Sequence, residues 1–426
     1  MLGARVASLA LGVVTSVVIA RSLPPEGRGT YYMAVAVATA AMALGHLSVE
    51  QAQTALWTDT SKRAALAANS VLLGLFTGAG AAVVALAVVG VLRSAANLPD
   101  MWMVVTACAS VPLSMCVLYA NNITLLSNRV RSAAAAMLLG AVFQCASLLV
   151  LGMSGHLTAY SVVAIWTITS GVSLIVLISG GNALVVRRAD LAAARATCVM
   201  GVTFHAGSAA AFLLQRSDVF LLNALAGPRE VGIYSLAVTL AEMSRLLIDV
   251  VWQVTLSRQL DRSHSDSVEG TARIIRLMTL LAAGSALIAV LLASVLVVPV
   301  YGRAYDQVDQ LVALLVPGIL LLGASRPAAT FLLRCRSTRF VVYPSVMALT
   351  VNIGLNLVLI PVWGAAGCAV ASTVAYAAVA ACQVRFFVRV TGTSWRLLLP
   401  GISDVAEITA RLRSPRHRSA RLPRTS

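Results

Sequence analysis

Twelve apolar stretches, each long enough to cross a bilayer as a helix, follow one another with short polar connections, and this succession constrains the fold more than any other feature. They cover roughly 2–20, 30–49, 66–92, 101–124, 132–153, 158–178, 198–225, 231–255, 274–300, 308–332, 341–361 and 364–389. A crossing helix needs about 20 mostly apolar residues, because the bilayer core is roughly 30 Å thick and each residue rises about 1.5 Å. Composition agrees, with 59% hydrophobic and only 11% charged residues, against about 25% charged in soluble domains. Membrane β-strands would alternate polarity over about 10 residues, whereas these runs are continuous. The expected fold is an all-α polytopic membrane protein of about twelve transmembrane helices, with no soluble domain.

A net charge of +16 would suggest a nucleic-acid partner in a soluble protein. In a membrane chain its placement matters more. With the N-terminus cytoplasmic, the inner connections hold Lys62, Arg63, Arg129, Arg131, Arg187, Arg188, Arg195, Arg258, Arg262, Arg273, Arg276, Arg334, Arg336 and Arg339. The outer ones hold only Arg21, Arg28, Arg93, Arg229 and Arg303. That asymmetry follows the positive-inside rule and puts both termini in the cytoplasm. The segment from Gly401 adds six arginines against Asp404 and Glu407, and reads as a disordered cytoplasmic tail able to rest on anionic headgroups. No aromatics interleave those arginines, so a nucleic-acid role is not expected. The N-terminal run "VASLALGVVTSVVIA" has the length of a signal-peptide core, but further spans follow it and it reads as an uncleaved first span. Seven cysteines without CxxC spacing read as apolar packing residues rather than metal ligands.

One short element occurs twice. "ARSLPPEGRGTYYMAVAV" at 20–37 returns as "NALAGPREVGIYSLAVTL" at 223–240; at an offset of 203, Gly29 falls on Gly232, Tyr31 on Tyr234, Ala34 on Ala237 and Val35 on Val238. "LLSNRVRS" at 125 is echoed by "LLRCRSTR" at 332, and a Gly after an apolar run recurs at Gly155 and Gly364. The chain therefore reads as two parallel six-helix bundles, 1–190 and 191–392, followed by the basic tail 393–426. Six spans per half make the repeats parallel, with substrate sites expected at their interface. Each elbow is expected to be an outer turn, its Gly allowing the turn and its Tyr anchoring at headgroup level.

The two elbows, the second extended upstream as "RSDVFLLNALAGPREVGIYSLA", the "VYGRAYDQ" to "LLVPGILLLG" stretch, and above all "VNIGLNLVLIPVWGAAGCAVAS" at 351–372 resemble the polysaccharide flippase branch of the multidrug/oligosaccharidyl-lipid/polysaccharide (MOP) superfamily. The resemblance covers essentially residues 1–390. It implies two facing six-helix bundles, alternating access around a central cavity, and a sugar chain on a polyprenyl pyrophosphate as substrate. Polysaccharide polymerases or glycosyltransferases are implied partners beside the bilayer, and a cell membrane is the implied location.

Ionised side chains inside spans cost about 2.5–3.5 kcal/mol each on insertion scales and so need a partner or a wet cavity. Glu50, Arg216, Asp218, Glu242, Arg245, Asp249 and Arg326 are the candidates. Glu242, Arg245 and Asp249 are spaced three and four apart, hence on one helix face, where they either pair along the stripe or line a cavity. Arg216 and Asp218 lie two residues apart and cannot share a face; His205, Arg216 and Asn223 can. A guanidinium keeps its charge and holds phosphate oxygens in a fork. Arg216 is therefore the leading substrate contact, with Arg245, Arg326 and Asn223 beside it. The competing reading of Arg216 is a salt bridge to Asp218 or Glu242. Asp218, Glu242 and Asp249 are the candidates for carrying a coupling proton or sodium ion. Arg326 precedes Pro327, which kinks a helix, and either moves with the bend or snorkels to the inner surface. Asn352 with Asn356, and Asn121 with Asn122, read as interhelical hydrogen-bonding pairs.

Three classes of function compete. An enzyme acting on lipid-linked sugars would carry an outer domain with paired carboxylates, yet the outer acids Glu26, Asp100, Glu230, Asp306 and Asp309 are scattered over separate short loops. No Walker A sequence is present, and neither a cofactor nor a metal is expected. A purely structural role leaves the buried charges unexplained. Within transport, a cation-coupled drug antiporter would place acids in its cavity, whereas Arg216 and Arg245 favour an anionic lipid-linked substrate. A peptidoglycan-precursor flippase is the nearer rival, though those typically have fourteen spans. The expectation is a flippase for lipid-linked oligosaccharide.

Overall fold

The computed structural model of the protein describes residues 2–92, 97–180, 189–245, 248–249, 251–252, 264–334 and 339–401. Parts of the eighth expected span, the echo at 335–338 and the tail beyond Gly401 lie outside the described residues. The helices are α1 (Leu2–Ser22), α2 (Pro25–Gly45), α3 (Val49–Leu56), α4 (Arg63–Leu92), α5 (Met101–Cys108), α6 (Ser110–Leu126), α7 (Val130–Met153) and α8 (Ala159–Ser179). They continue as α9 (Leu191–Ala226), α10 (Pro228–Ser244), α11 (His264–Tyr301), α12 (Val308–Ala324), α13 (Arg326–Arg334) and α14 (Arg339–Thr391). Among the described residues, ten helical stretches are long and apolar enough to cross a membrane. A helix satisfies its own backbone, which lipid cannot do for it.

The twelve expected segments map onto this order. α5 and α6 form one stretch with a break at Ala109, and α12 and α13 another with a break at Ser325. α14 contains two expected spans, parted at Gly364, whose φ of 54° and ψ of −130° leave the helical region. That conformation suits a residue without Cβ. There the Glu230 carboxylate accepts a hydrogen bond from the Ala365 N–H at 2.9 Å, placing negative charge at the start of the second segment. Local sequence sets other starts: Asp100 accepts from the Trp102 N–H, Asp190 from the Ala192 N–H, and Thr158 and Ser161 cap α8 reciprocally. In the connection before α4, the Ser61 and Lys62 side chains hold the Asp59 carboxyl down at about 2.

Successive helices alternate between two ends of the molecule. The elbow end holds 22–28, 97–100, 226–230, 302–308 and Gly364, tied by hydrogen bonds from the Asn223 side chain to Asn97 O, from Tyr305 to Leu23 O, and from the Ala365 N–H to the Glu230 carboxylate. The basic end holds 57–63, 127–130 and 189–191, with Asn69 hydrogen-bonded to the Asp190 backbone.

The repeated elbows are not loops, and this corrects the expectation for them. Pro25 and Pro228 stand at the first helical position, where proline costs no hydrogen bond, so Gly29 and Gly232 fall inside helices. Their purpose is approach: α2 and α10 cross so closely that a Cβ on Gly29 would sit 1.7 Å from Pro228 O, and one on Gly232 would sit 1.8 Å from Pro25 O. The repeated sequence packs against itself, two-fold fashion. Tyr31 and Tyr234 are buried rather than set at headgroup level. Arg28, counted above with the outer connections, is also buried, 2% exposed. Of the cysteines, Cys108, Cys116, Cys145 and Cys368 are buried and free; Cys335 lies outside the described residues.

Candidate functional site

The charges singled out on α9 and α10 come together. Arg216 donates to Glu242 Oε1 at 3.2 Å and to the Tyr32 phenol at 3.1 Å, so its guanidinium joins α9 and α10 to α2. Of the two open readings, ion pair or substrate contact, the geometry in this state is an ion pair, made to Glu242 and not to Asp218. Asp218 points the other way, as its position two residues on requires. It is 2% exposed and accepts from Tyr234 at 2.6 Å, from Ser372 at 3.0 Å and from the Val219 N–H at 2.8 Å. Asn352 donates to Ser372 Oγ at 3.4 Å, and Asn356 donates to Asn352 Oδ1 at 3.0 Å. The buried Asn356 Oδ1 has no hydrogen-bond partner. This network joins α9, α10 and both segments of α14 around one carboxylate.

Asp249 stands between two cations. Arg245 Nε lies 3.4 Å from Asp249 Oδ2, and Arg326 pairs with Asp249 Oδ1. The stripe Glu242, Arg245, Asp249 therefore pairs only partly within itself, since Glu242 goes to Arg216. Asn223 is buried and bonds Asn97 O rather than facing Arg216's partners. The space enclosed by Arg216, Asp218, Glu242, Arg245 and Tyr376 is about 20 Å³, room for about one water and not for a pyrophosphate. His205 stacks edge-on against His46 and bonds Leu44 O at 2.9 Å. Glu50 lies 3.3 Å from the His46 ring. Among the described residues no group of three or more His, Cys, Asp or Glu gathers as a metal site.

Of the larger cavities among the described residues, about 870 Å³ beside Ala55 and Arg195, about 650 Å³ between α2, α4 and α9, and one more polar, the last lies within the first 180 residues. About 860 Å³ is enclosed by α1, α2, α6, α7 and α8. Its polar wall consists of Thr39, Ser110, Ser114, Asn121, Gln144, Thr169, Ser170 and Ser173, set among Trp166 and aliphatic side chains; among the described residues Arg5 is the one charge and no carboxylate lines it. A second space of about 280 Å³ shares Gln144 and Trp166 with it and reaches Arg28. The Asn pair at 121–122 divides: Asn122 donates to Glu50 O and Gln53, whereas Asn121 faces the cavity. Sequence reasoning missed this wall because hydroxyls are unremarkable in membrane helices. The readable signal was spacing, Ser110 with Ser114 and Trp166 with Thr169, Ser170 and Ser173, each set on one helix face.

The fold has known counterparts. A structure described as lipid II flippase MurJ, inward closed conformation, superposes with a TM-score of 0.70 at 12% identity, covering 96% of this chain and 90% of that one. An inward-facing multidrug resistance MATE family transporter of the MOP superfamily gives 0.67 at 12% identity, covering 91% and 96%. An outward-facing structure of such a transporter gives 0.61 at 13%, covering 91% and 94%. No curated protein sequence matches the chain. A family model described as polysaccharide biosynthesis protein matches residues 1–256. On that match, within a multi-pass helical fold shared with MOP-superfamily transporters, the chain belongs to the polysaccharide biosynthesis protein family.

Proposed function

We propose that this protein is a flippase that carries polyprenyl-pyrophosphate-linked oligosaccharide from the inner to the outer leaflet of the cytoplasmic membrane, for polysaccharide assembly. The observation that carries this reading is the cavity of about 860 Å³ in which hydroxyls, amides and Arg5 are set among Trp166 and aliphatic side chains, with no carboxylate among the described residues that line it. A cationic drug needs negative charge in its cavity. A glycan needs hydroxyl and amide partners, and a pyrophosphate needs guanidinium.

In this reading 1–190 and 191–392 are two bundles that rock against each other, with the basic end and both termini in the cytoplasm. The pyrophosphate meets Arg216, Arg245 and Arg326 as the bundles part, exchanging for the Glu242 and Asp249 carboxylates that hold them in the present state. Asn223 fixes α9 at the elbow end. Asp218 carries the coupling ion: it is the buried carboxylate that Tyr234, Ser372 and the Val219 N–H hold between α9, α10 and α14. Glycosyltransferases or polymerases hand over and receive the substrate, and no chemistry occurs in this chain.

The test is transbilayer movement of a labelled polyprenyl-pyrophosphate oligosaccharide in proteoliposomes, scored by enzymatic access from outside, with a cationic dye in parallel. Movement of the sugar and not of the dye supports the flippase. Dye antiport without sugar movement overturns it in favour of a drug transporter.

A further inference from the structure

Arg28 is a buried guanidinium with no carboxylate against it. It is 2% exposed, and its hydrogen bonds go to Ser235 Oγ at 3.2 Å, Ser16 O at 3.4 Å and Ser16 Oγ at 3.4 Å, all neutral and all long. Among the described residues it makes no ion pair. Arg216, Arg245 and Arg326 each have a carboxylate within reach; Arg28 is the exception. A buried charge left uncompensated is strongly unfavourable, and the wall it faces offers no compensation. The space of about 280 Å³ before it is lined by Ser8, Thr15, Ser16, Tyr31, Tyr32 and Gln144, again without an acid. The buried Ser8 Oγ on that wall has no hydrogen-bond partner.

The position of this site decides what kind of anion fits. Gln144 and Trp166 border both this space and the larger cavity, whose other walls include Leu125, Ala133 and Leu177, close to the basic-end termini of α6, α7 and α8. Arg28 is thus at the deep end. Arg5 lines the larger cavity, and Ser16, which Arg28 contacts, lies eleven residues further along α1, about 16 Å at the rise of a helix. With the pyrophosphate at Arg216, Arg245 and Arg326, as proposed above, the anion that reaches Arg28 belongs to the glycan.

We infer that Arg28, with Ser16, forms a subsite for an anionic sugar, one bearing a carboxylate or a phosphate substituent, within the transported oligosaccharide. The inference rests on the flippase reading and adds a substrate class to it. Arg28 selects acidic over neutral glycans, and the hydroxyls and Trp166 between the two arginines accept the intervening sugars without regard to charge.

The test compares two polyprenyl-pyrophosphate trisaccharides, one ending in glucuronic acid and one in glucose, in wild type, R28Q and R28K. A charge-assisted contact in a dry pocket predicts at least about tenfold faster movement of the acidic glycan by wild type. R28Q should slow the acidic glycan more than the neutral one and so abolish the preference, and R28K should keep part of it. Equal rates in wild type overturn the subsite, as does an R28Q variant that slows both glycans alike, because Arg28 then only joins α1, α2 and α10. Failure of wild type to move either glycan counts against the flippase itself. A binding measurement decides the subsite in that case: thermal shift of the purified protein with the free glucuronic-acid trisaccharide, the free neutral trisaccharide, and inorganic phosphate. A shift with the acidic glycan alone that R28Q removes supports the subsite; a shift with phosphate alone assigns a small-anion site and overturns it, and no shift overturns it too.

Discussion

Replacing Gly29 by alanine tests whether the repeated elbow is a helix crossing. The new Cβ would stand 1.7 Å from Pro228 O and 2.9 Å from Gly232 N. A carbon and a carbonyl oxygen in contact need about 3.3 Å, so α2 and α10 must separate by roughly 1.6 Å at this point. The obstacle is helix backbone, which no rotamer change relieves. Overpacking of this kind costs about 1–3 kcal/mol, and the rigidity of the obstacle puts Gly29→Ala near the top of that range. With an unfolding entropy of about 2.1 cal/mol/K per residue, about 3 kcal/mol lowers Tm by about 3–7 °C, according to whether the whole chain or one half unfolds as a unit. The assay is the apparent Tm in detergent beside the transport rate, with Gly284→Ala as control, since a Cβ there meets nothing within 4 Å and alanine favours the helix. Gly232→Ala should behave like Gly29→Ala, and the double variant should lose less than the sum, because both widen one crossing. A Gly29→Ala protein as stable and active as the Gly284→Ala control would refute the close crossing.

Three further outcomes follow from the polar contacts. Tyr234→Phe removes the phenol that donates to Asp218 at 2.6 Å and should destabilise by about 1–3 kcal/mol, read as a lower apparent Tm; an unchanged Tm would mean that Ser372 and Val219 suffice. Glu230→Gln weakens the charged cap on Ala365 N–H and should cost about 0.5–2 kcal/mol, with hydrogen exchange accelerated at 364–367 specifically. For the Arg216–Glu242 pair, each single alanine variant should be less stable than the double, because a single leaves one charge unmatched in a partly buried place. Additive losses in that cycle would show that the pair does not interact.

The helical class was legible because apolar length and connection charge are properties of composition along the chain, and a lipid environment admits few folds. What the sequence concealed was direction. Arg28 reads as a loop residue after "PPEG", and only the helix begun by Pro25 turns its guanidinium inward to Ser16 and Ser235. Gly29 and Gly232 stand out in the repeat, but a glycine admits both a turn and a close approach, and the partner decides which. Separating Arg216 from Asp218 needed only helical geometry. Their partners, Tyr32 from 184 residues away and Ser372 from 154, depend on the tertiary arrangement. The cavity wall was hardest to read, since Ser, Thr and Gln in a membrane helix bond their own backbone as readily as a ligand, as Thr39 does to Val35 O.

The two ends of the molecule differ in what would have to break for the proposed bundles to part. At the elbow end the tie is helix backbone packed on helix backbone at Gly29 and Gly232, a contact with nothing to exchange for. Toward the basic end, the first half of α9 has one close backbone approach, at Gly201, where a Cβ would sit 2.3 Å from Leu47 O, and is otherwise held by side chains: His205 to Leu44 O at 2.9 Å, Gln51 and Ser48 donating to Ser208 Oγ at 3.2 and 3.4 Å, and Ser48 with His205 at 3.5 Å. Contacts of this length and exposure contribute about 0.5 kcal/mol each, together about 2 kcal/mol, and water replaces them readily. Opening about the elbow crossing should therefore release α9 near the basic end first. Removing these contacts with His205→Ala and Ser208→Ala shifts the equilibrium toward the opened state by roughly 30-fold. Spin labels at Thr58 and Arg195, on either side of the contact between α3 and α9, would report a longer distance in the double variant. An unchanged distance there, with lengthening instead between labels at Gly27 and Arg229, would place the opening at the elbows and reverse the direction of rocking.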